Sequence, residues 1–193
     1  MTVLKGLKEL NGGTVILRVL SDGEVRSYFL CGRAYREIGA PTVGEVLDGV
    51  LDDILLADES YRAEKKALSL LSYADNNRHT LQMKLMRAGF GRDISREVTE
   101  EMVRLGYINE QAQLERLILN EANVKLSGPG KLVPKLCAKG FKMTDVKAEL
   151  HRLIGSGVIN FEDNKQRLIS KKASDSSDDE IRALLYKYGY TSI

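Results

Sequence analysis

The chain has 193 residues, 43% of them hydrophobic and 29% charged, with a formal net charge of +2. This length allows one or two domains with a buried core, and no apolar run is long enough to cross a bilayer, which argues against a membrane protein. The first ten residues lack the apolar stretch of a signal peptide, and Cys31 and Cys137 have no metal-ligand spacing. These features favour a cytoplasmic protein with reduced thiols.

The charge is divided unevenly along the chain. Residues 1–61 contain six basic and ten acidic side chains, whereas residues 62–193 contain 23 basic and 17 acidic ones. An excess of positive charge in one part of a chain suggests an anionic partner for that part, although many solvated surfaces carry an excess of this size.

The first 60 residues predict a small antiparallel sheet followed by a helix. Turn signals at Asn11-Gly12-Gly13 and Ser21-Asp22-Gly23 separate three short segments, of which the second and third are rich in residues that favour strands. Residues 32–38 could form one or two helical turns. Thr42 and Glu45 have the spacing of a capping box, so a second helix is expected to begin at Thr42 and to continue through Leu55.

The stretch at residues 81–90, LQMKLMRAGF, occurs three times in similar form, again at 132–141 and at 181–190. Each copy has an aliphatic residue, a leucine four positions later, a basic residue, a glycine and an aromatic residue. Aliphatic residues at i and i+4 share one helix face, and a glycine directly after them is the usual left-handed helix end. The three glycines, Gly89, Gly140 and Gly189, lie 51 and 49 residues apart, which is the spacing of a repeated helical unit.

Around these copies the helical pattern defines three repeats of one unit. Residues 61–110 form repeat 1, residues 111–163 form repeat 2, and residues 164–193 form a truncated repeat 3 without the closing helix. The sequence therefore predicts a mainly α fold of tandem three-helix repeats in an elongated curved array, preceded by the small β-sheet and helix of residues 1–60.

Repeat 3 is expected to be the most mobile part of the chain. Its second helix has a capping box at Ser177 and Glu180, but the segment before it is polar. Because the closing helix is missing, Leu184, Leu185 and Tyr188 must pack on repeat 2 or stay partly exposed.

The first two repeats contain several short motifs in a fairly specific order and spacing. In repeat 1 they are Ala67-Leu68, Leu71-Ser72-Tyr73, Lys84-Leu85, Gly89-Phe90 and Gly106-Tyr107-Ile108-Asn109, and in repeat 2 they are Gly128-Pro129, Lys135-Leu136 and Lys139-Gly140-Phe141. In order and spacing they resemble the RecX family, regulators of the RecA recombinase, over nearly the whole chain. The chain departs from that family at Ala74 and Asn76, where arginine is common.

The resemblance implies a function without catalysis of its own. A RecX-like protein is expected to be a monomer without a cofactor or metal. It would lie in the groove of the RecA–single-stranded DNA filament and alter filament assembly and ATP hydrolysis during homologous recombination, DNA repair and the SOS response. Direct contact with DNA would be non-specific.

The residues themselves favour no catalytic centre. His79 and His151 stand 72 positions apart, and neither has a cysteine or carboxylate at metal-ligand spacing. Gly128-Pro129-Gly130-Lys131 lacks the spacing of a phosphate-binding P-loop. The amides of a helix beginning there could still hold a phosphate, although a simple helix start is the plainer interpretation.

Basic residues recur on the equivalent helix of all three repeats. Lys131, Lys135 and Lys139 follow the i, i+4, i+8 spacing of one helix stripe, provided that Pro134 does not bend the helix. The candidate residues for binding a filament or DNA are Arg78, Lys84, Arg87, Arg92, Lys131, Lys135, Lys139, Lys142, Arg182 and Lys187.

Two other functions remain open at this stage. A helix-turn-helix transcriptional regulator could use the helices around Gly89, but its second helix would offer Arg96 beside the acidic pair Glu100-Glu101, which phosphate would repel. A purely structural helical scaffold is the third possibility.

Overall fold

The computed structural model describes residues 1–190 and shows a mainly helical protein with a three-stranded antiparallel sheet at its N-terminus. The prediction of a mainly α fold preceded by a small antiparallel sheet is confirmed. The chain divides into two compact units. One contains Met1–Ala74 with Leu81–Arg104, and the other contains Asp75–Thr80 with the chain from Leu105 onward.

The sheet consists of β1 (Val3–Leu10), β2 (Thr14–Ser21) and β3 (Glu24–Cys31), in the order β1-β2-β3. Alternate residues of the central strand point to one face, because side chains of a strand alternate between its two sides. One face packs into the core of this unit through Leu4, Val15, Leu17, Val19, Tyr28 and Leu30, all of which are buried.

The helix expected at Thr42 does not form there. The carboxylate of Glu45 accepts hydrogen bonds from the Thr42 backbone at 2.7 Å and from its hydroxyl at 3.1 Å, so the predicted capping contact exists. The chain then pairs with the start of the sheet, through a bridge between Val3 and Val46, and the helix begins only at Leu51. The predicted start was wrong because pairing with the sheet edge prevails over the local capping pattern.

Helix α1 (Gly32–Glu37) follows the sheet, and α2 (Leu51–Tyr73) lies against β3. The buried carboxylate of Asp58 accepts a hydrogen bond of 2.7 Å from the backbone amide of Phe29, and the rings of Phe29 and Tyr61 are stacked at 6.4 Å. The predicted boundary after residue 60 lies inside α2, and the repeat boundaries stay a prediction.

Two shorter helices complete the part of the chain that contains the first repeated stretch. These are α3 (Arg78–Arg87) and α4 (Arg92–Arg104). The Asn77 side chain accepts a hydrogen bond of 2.8 Å from the Thr80 amide, as an N-cap does. Leu81 and Leu85, one turn apart, are fully buried.

From Leu105 to the last described residue, all the regular elements of the second unit are helices. Its helices are α5 (Glu110–Leu119), which continues as a π-helical turn at Asn120–Val124, and then α6 (Pro129–Ala138), α7 (Met143–Gly155), α8 (Phe161–Lys172) and α9 (Asp178–Tyr188). Pro129 occupies the first turn of α6 as predicted. The core contains Leu114, Ile118, Leu132, Leu136, Val146, Leu150, Leu153 and Ile159.

The three repeated stretches end in the same way. Gly89, Gly140 and Gly189 have φ of 96°, 92° and 85°, so the predicted left-handed conformation is confirmed. In each copy the amide of the following aromatic residue donates to the carbonyl of the leucine five positions earlier. The pairs are Phe90 with Leu85, Phe141 with Leu136, and Tyr190 with Leu185. This hydrogen bond is typical of a glycine-terminated helix.

Candidate functional site

Helix α5 continues at its end as a π-helical turn that contains the buried Glu121. The side chain of Glu121 is only 2% exposed, although a carboxylate is seldom buried without a partner. Single π-helical turns inserted into α-helices often occur at functional sites. The turn therefore gives a first reason to examine the surroundings of Glu121.

Two lysines hold the buried carboxylate. Lys125 Nζ lies 2.7 Å from Glu121 Oε1, and Lys135 Nζ, from α6, lies 2.8 Å from Oε2. Burial by itself would raise the pKa of Glu121, but the hydrogen bonds and positive charges of the two ammonium groups outweigh it and lower that pKa below its ordinary value. Glu121 is therefore an anion at neutral pH, and it fixes one lysine from each of two chain segments.

The start of α6 lies against the end of α9. The amide of Gly128 donates to the carbonyl of Tyr188 at 2.8 Å, and the amide of Gly130 donates to the carbonyl of Gly189 at 3.1 Å. These helix-end amides were candidates for holding a phosphate. Since α9 carbonyls occupy two of them, the helix-start interpretation of this motif agrees better with the structure.

The approach of the two helix ends requires glycine on both sides. A β-carbon on Gly128 would lie 2.5 Å from the carbonyl oxygen of Gly189, and one on Gly189 would lie 2.5 Å from the backbone nitrogen of Lys131. Neither neighbour is the end of a flexible side chain, so neither can move aside easily. The contact therefore fixes where α9 stands beside α6.

The contact brings Tyr188 between lysines from two other helices. Lys131 Nζ lies 5.2 Å from the centre of the Tyr188 ring, and Lys172 Nζ, at the end of α8, lies 5.3 Å from it. A hydrogen bond from Lys172, assisted by the charges of Lys172, Lys187 and Lys131, lowers the pKa of the Tyr188 hydroxyl. The Tyr188 hydroxyl therefore lies in a strongly positive environment.

These contacts border a cleft of about 400 Å³ that is open to solvent. Its floor and walls include Val124, Leu126 and Leu168. Of the described side chains that line it, six are lysines and none is acidic; we call the group the lysine cleft, and its members are Lys125, Lys131, Lys135, Lys171, Lys172 and Lys187.

The lysine cleft contains three of the ten basic residues predicted from the sequence, namely Lys131, Lys135 and Lys187. Lys139 ends α6 with an exposed side chain, Lys142 is exposed just before α7, and Arg182 is exposed beside Asp179 at 3.4 Å. None of these three lines the cleft. The helix continues through Pro134, but Lys135 turns to Glu121, so the stripe of three lysines does not act as one uniform exposed row.

The candidate basic residues of repeat 1 have different environments. Arg78 is paired with Glu110 at 3.2 Å, Lys84 is half-buried, and Arg87 and Arg92 are exposed. None of these four residues lines the lysine cleft. Their role in binding stays a prediction.

Sequence reasoning missed three members of the lysine cleft, Lys125, Lys171 and Lys172. They lie outside the repeated stretches, at the end of the π-helical turn and at the end of α8. The adjacent pair Lys171-Lys172 in the last turn of a helix was visible in the sequence, but it is an ordinary complement to the negative helix end. Only the fold brings it near Lys131.

The first unit carries a cleft of the opposite character. Its volume is about 430 Å³, and its lining includes Glu37, Asp53 and Glu64 beside the apolar residues Leu56 and Ala57. Burial, followed by the charge of Glu101, raises the pKa of Glu64. Anions would be repelled from this acidic cleft. The lysine cleft of the second unit is therefore the better candidate for binding a polyanion.

Within residues 1–190, no helix is both long and apolar enough to cross a membrane. Across the same residues, no group of three or more histidine, cysteine or acidic side chains is arranged to hold a metal ion.

The structure is thus a mainly helical fold whose second unit carries a lysine-lined cleft suited to anions. No protein-family model matches the sequence, and no curated protein matches it. Among solved structures, the chain is similar to a crystal structure of regulatory protein RecX, with a TM-score of 0.75 and 16% identity over 100% of this chain and 96% of that one. It is also similar to RecX from Lactobacillus salivarius, with a TM-score of 0.57 and 22% identity over 70% of this chain and 91% of that one.

The protein therefore has the RecX fold. The resemblance read from the motifs is confirmed at the level of the fold, over the full length of the chain.

Proposed function

We propose that the protein is a RecX-type regulator that binds the RecA nucleoprotein filament on single-stranded DNA and alters its assembly and ATP hydrolysis in recombination and DNA repair. The observation that carries the proposal is the agreement with regulatory protein RecX over the whole chain, at a TM-score of 0.75. Agreement over 100% of this chain and 96% of that one supports a shared mode of action more strongly than agreement in one repeat would.

The charges of the second unit support this proposal. A nucleoprotein filament presents DNA phosphates, and lysine ammonium groups bind phosphate without reading the base sequence. Lys131 and Lys187 of the cleft and the exposed Lys139 and Lys142 belong to this unit and are available for such contacts, whereas Lys135 is partly exposed and paired with Glu121. Arg87, in the first unit, is also exposed. We expect the protein to act as a cytoplasmic monomer without a cofactor.

The alternative of a helix-turn-helix regulator has weaker support in the structure. On α4, Arg96 is paired with Asp93 at 3.1 Å, and Arg104 is paired with Glu101. Two of the three arginines of this helix are thus engaged by carboxylates of the same helix, and the exposed Arg92 at its start is followed directly by the acidic Asp93. A recognition helix with exposed acidic side chains would be repelled by the DNA backbone.

The test is the DNA-dependent ATP hydrolysis of purified RecA, measured with and without this protein at several salt concentrations. We expect a change in the hydrolysis rate that weakens as salt rises, because phosphate contacts are screened and counterions compete. An unchanged rate at low salt, with this protein shown to be folded, would overturn the proposal. A footprint on one duplex sequence would instead support the helix-turn-helix alternative.

A further inference from the structure

The lysine cleft concentrates more positive charge than its surroundings neutralise. Six ammonium groups line one cavity of about 400 Å³, and the carboxylate of Glu121 beneath it is shared by only two of them, Lys125 and Lys135. Clefts lined by one sign of charge focus the electrostatic potential and attract ions of the opposite sign. Such an arrangement is unfavourable in the empty protein and becomes favourable when an anion enters.

The cleft is held in shape by contacts that do not depend on a ligand. Glu121 fixes Lys125 and Lys135 on one side, and the Tyr188 ring fixes Lys131 and Lys172 on the other. The lysines come from four segments of the chain: the π-helical turn, α6, α8 and α9. Preorganised charges bind a ligand better because less side-chain freedom is lost on binding.

A single small anion would satisfy few of these groups. Lysine binds phosphate as a point charge, and a cavity of this size with lysines on several walls is suited to several phosphate oxygens at once. The ligand chemistry that matches is therefore a row of closely spaced phosphate groups.

We propose that the lysine cleft is a binding site for consecutive phosphate groups, supplied either by the backbone of single-stranded nucleic acid or by a free oligophosphate. This inference deepens the proposed function by locating a phosphate contact at the junction of α6, α8 and α9. It is tested without RecA, so its failure is distinguishable from failure of the proposed function.

The experiment measures binding of the full chain to two probes, a fluorescein-labelled oligothymidylate by anisotropy and inorganic tripolyphosphate by calorimetry. The cleft variant is Lys171→Gln with Lys187→Gln, two exposed lysines on different helices. We expect it to weaken oligothymidylate binding about tenfold near 0.1 M salt and to reduce the slope of log K against log salt by about 2.

Two matched proteins complete the design. Lys66→Gln with Lys147→Gln removes the same charge from exposed positions that do not line the cleft, and should retain most of the affinity and slope. Lys171→Arg with Lys187→Arg keeps the charge and should bind like the parent. Circular dichroism and melting temperature establish that all variants are folded.

The outcomes separate the two ligand sources. Tripolyphosphate binding that is lost in the cleft variant supports a site for free oligophosphate, whereas oligothymidylate binding alone, lost in the same variant, supports the nucleic acid backbone. Equal binding by the cleft and control variants, or no binding of either probe by the parent protein, would overturn the inference.

Discussion

The backbone amide of Gly128 donates a hydrogen bond of 2.8 Å to the carbonyl oxygen of Tyr188, which joins the beginning of α6 to the end of α9. The first amides and last carbonyls of a helix have no partner within it. Here the two helix ends supply partners for each other. Because α9 has no fully buried residue, the last helix is held by this backbone contact together with its half-buried side chains.

The first prediction concerns the close approach at Gly128. Alanine at this position would place its β-carbon 2.5 Å from the carbonyl oxygen of Gly189, so α9 must shift or detach. We expect Gly128→Ala to lower the free energy of unfolding by about 2 kcal/mol, in the range of overpacked sites. Chemical denaturation followed by circular dichroism measures this change.

Gly155→Ala is the matched control, since its β-carbon would meet nothing within 4 Å and its backbone is helical. Alanine has a higher helix propensity than glycine by up to about 1 kcal/mol, so this variant should be neutral or more stable. If both variants have the same stability as the parent, the α6–α9 contact does not exist in solution.

The second prediction compares two glycines with the same backbone conformation. Gly89 and Gly140 have φ of 96° and 92°, so alanine at either position costs about 1 kcal/mol for the left-handed conformation. At Gly140 the added carbon would also lie 2.6 Å from the His79 ring, whereas at Gly89 it would meet nothing. We therefore expect Gly140→Ala to be the more destabilising of the two by about 1 kcal/mol or more.

Thermal melting of both variants, with the parent protein alongside, decides this comparison. A larger loss for Gly89→Ala than for Gly140→Ala would show that His79 does not pack against Gly140.

The third prediction follows from the lowered pKa of Glu121. A carboxylate whose folded pKa lies below its unfolded value of 4.5 stabilises the protein fully above that value, and this contribution is lost as the pH falls through the folded pKa. We expect Glu121→Gln to cost about 1–2 kcal/mol at neutral pH, because two hydrogen bonds to charged lysines are weakened and both lysines can still reach water. The difference from the parent should shrink below pH 4.5.

Denaturation at a series of pH values between neutral and acid measures this dependence. Glu24→Gln removes an exposed carboxylate paired with Arg26 at 2.8 Å and should change stability little at any of these pH values. A difference between Glu121→Gln and the parent that stays constant with pH would mean that the Glu121 carboxylate is not held by Lys125 and Lys135.

The parts of the fold that could be predicted are those with a local signal. The left-handed glycines, the proline at the start of α6 and the capping box of Ser177 and Glu180 each depend on a few adjacent residues, and the structure has them as expected. The helix expected from Thr42 failed because a strand edge, remote in sequence, competes for the same backbone.

Only three of the six lysines of the cleft could be predicted from the sequence, for the same reason. Lys135 and Lys187 stand on the repeated stretches and Lys131 directly precedes one, so their spacing made them candidates. No local pattern marks Glu121 as buried; the fold places it in the π-helical turn with 2% exposure. The convergence of lysines from four segments depends on the Gly128–Gly189 contact, for which helical periodicity carries no signal.

The last prediction concerns the motion of α9. It is attached by backbone hydrogen bonds and half-buried side chains, Leu184, Leu185 and Tyr188 among them, so its amides should exchange with solvent faster than those of α7, which contributes Val146 and Leu153 to the core. An anion in the lysine cleft would bridge Lys187 on α9 to lysines on α6 and α8. Hydrogen exchange of residues 178–190 should therefore slow when oligothymidylate is added, and slow less in Lys171→Gln with Lys187→Gln. Strong and equal protection with and without the oligonucleotide would show that α9 is already fully docked, and that ordering of this helix has no part in binding.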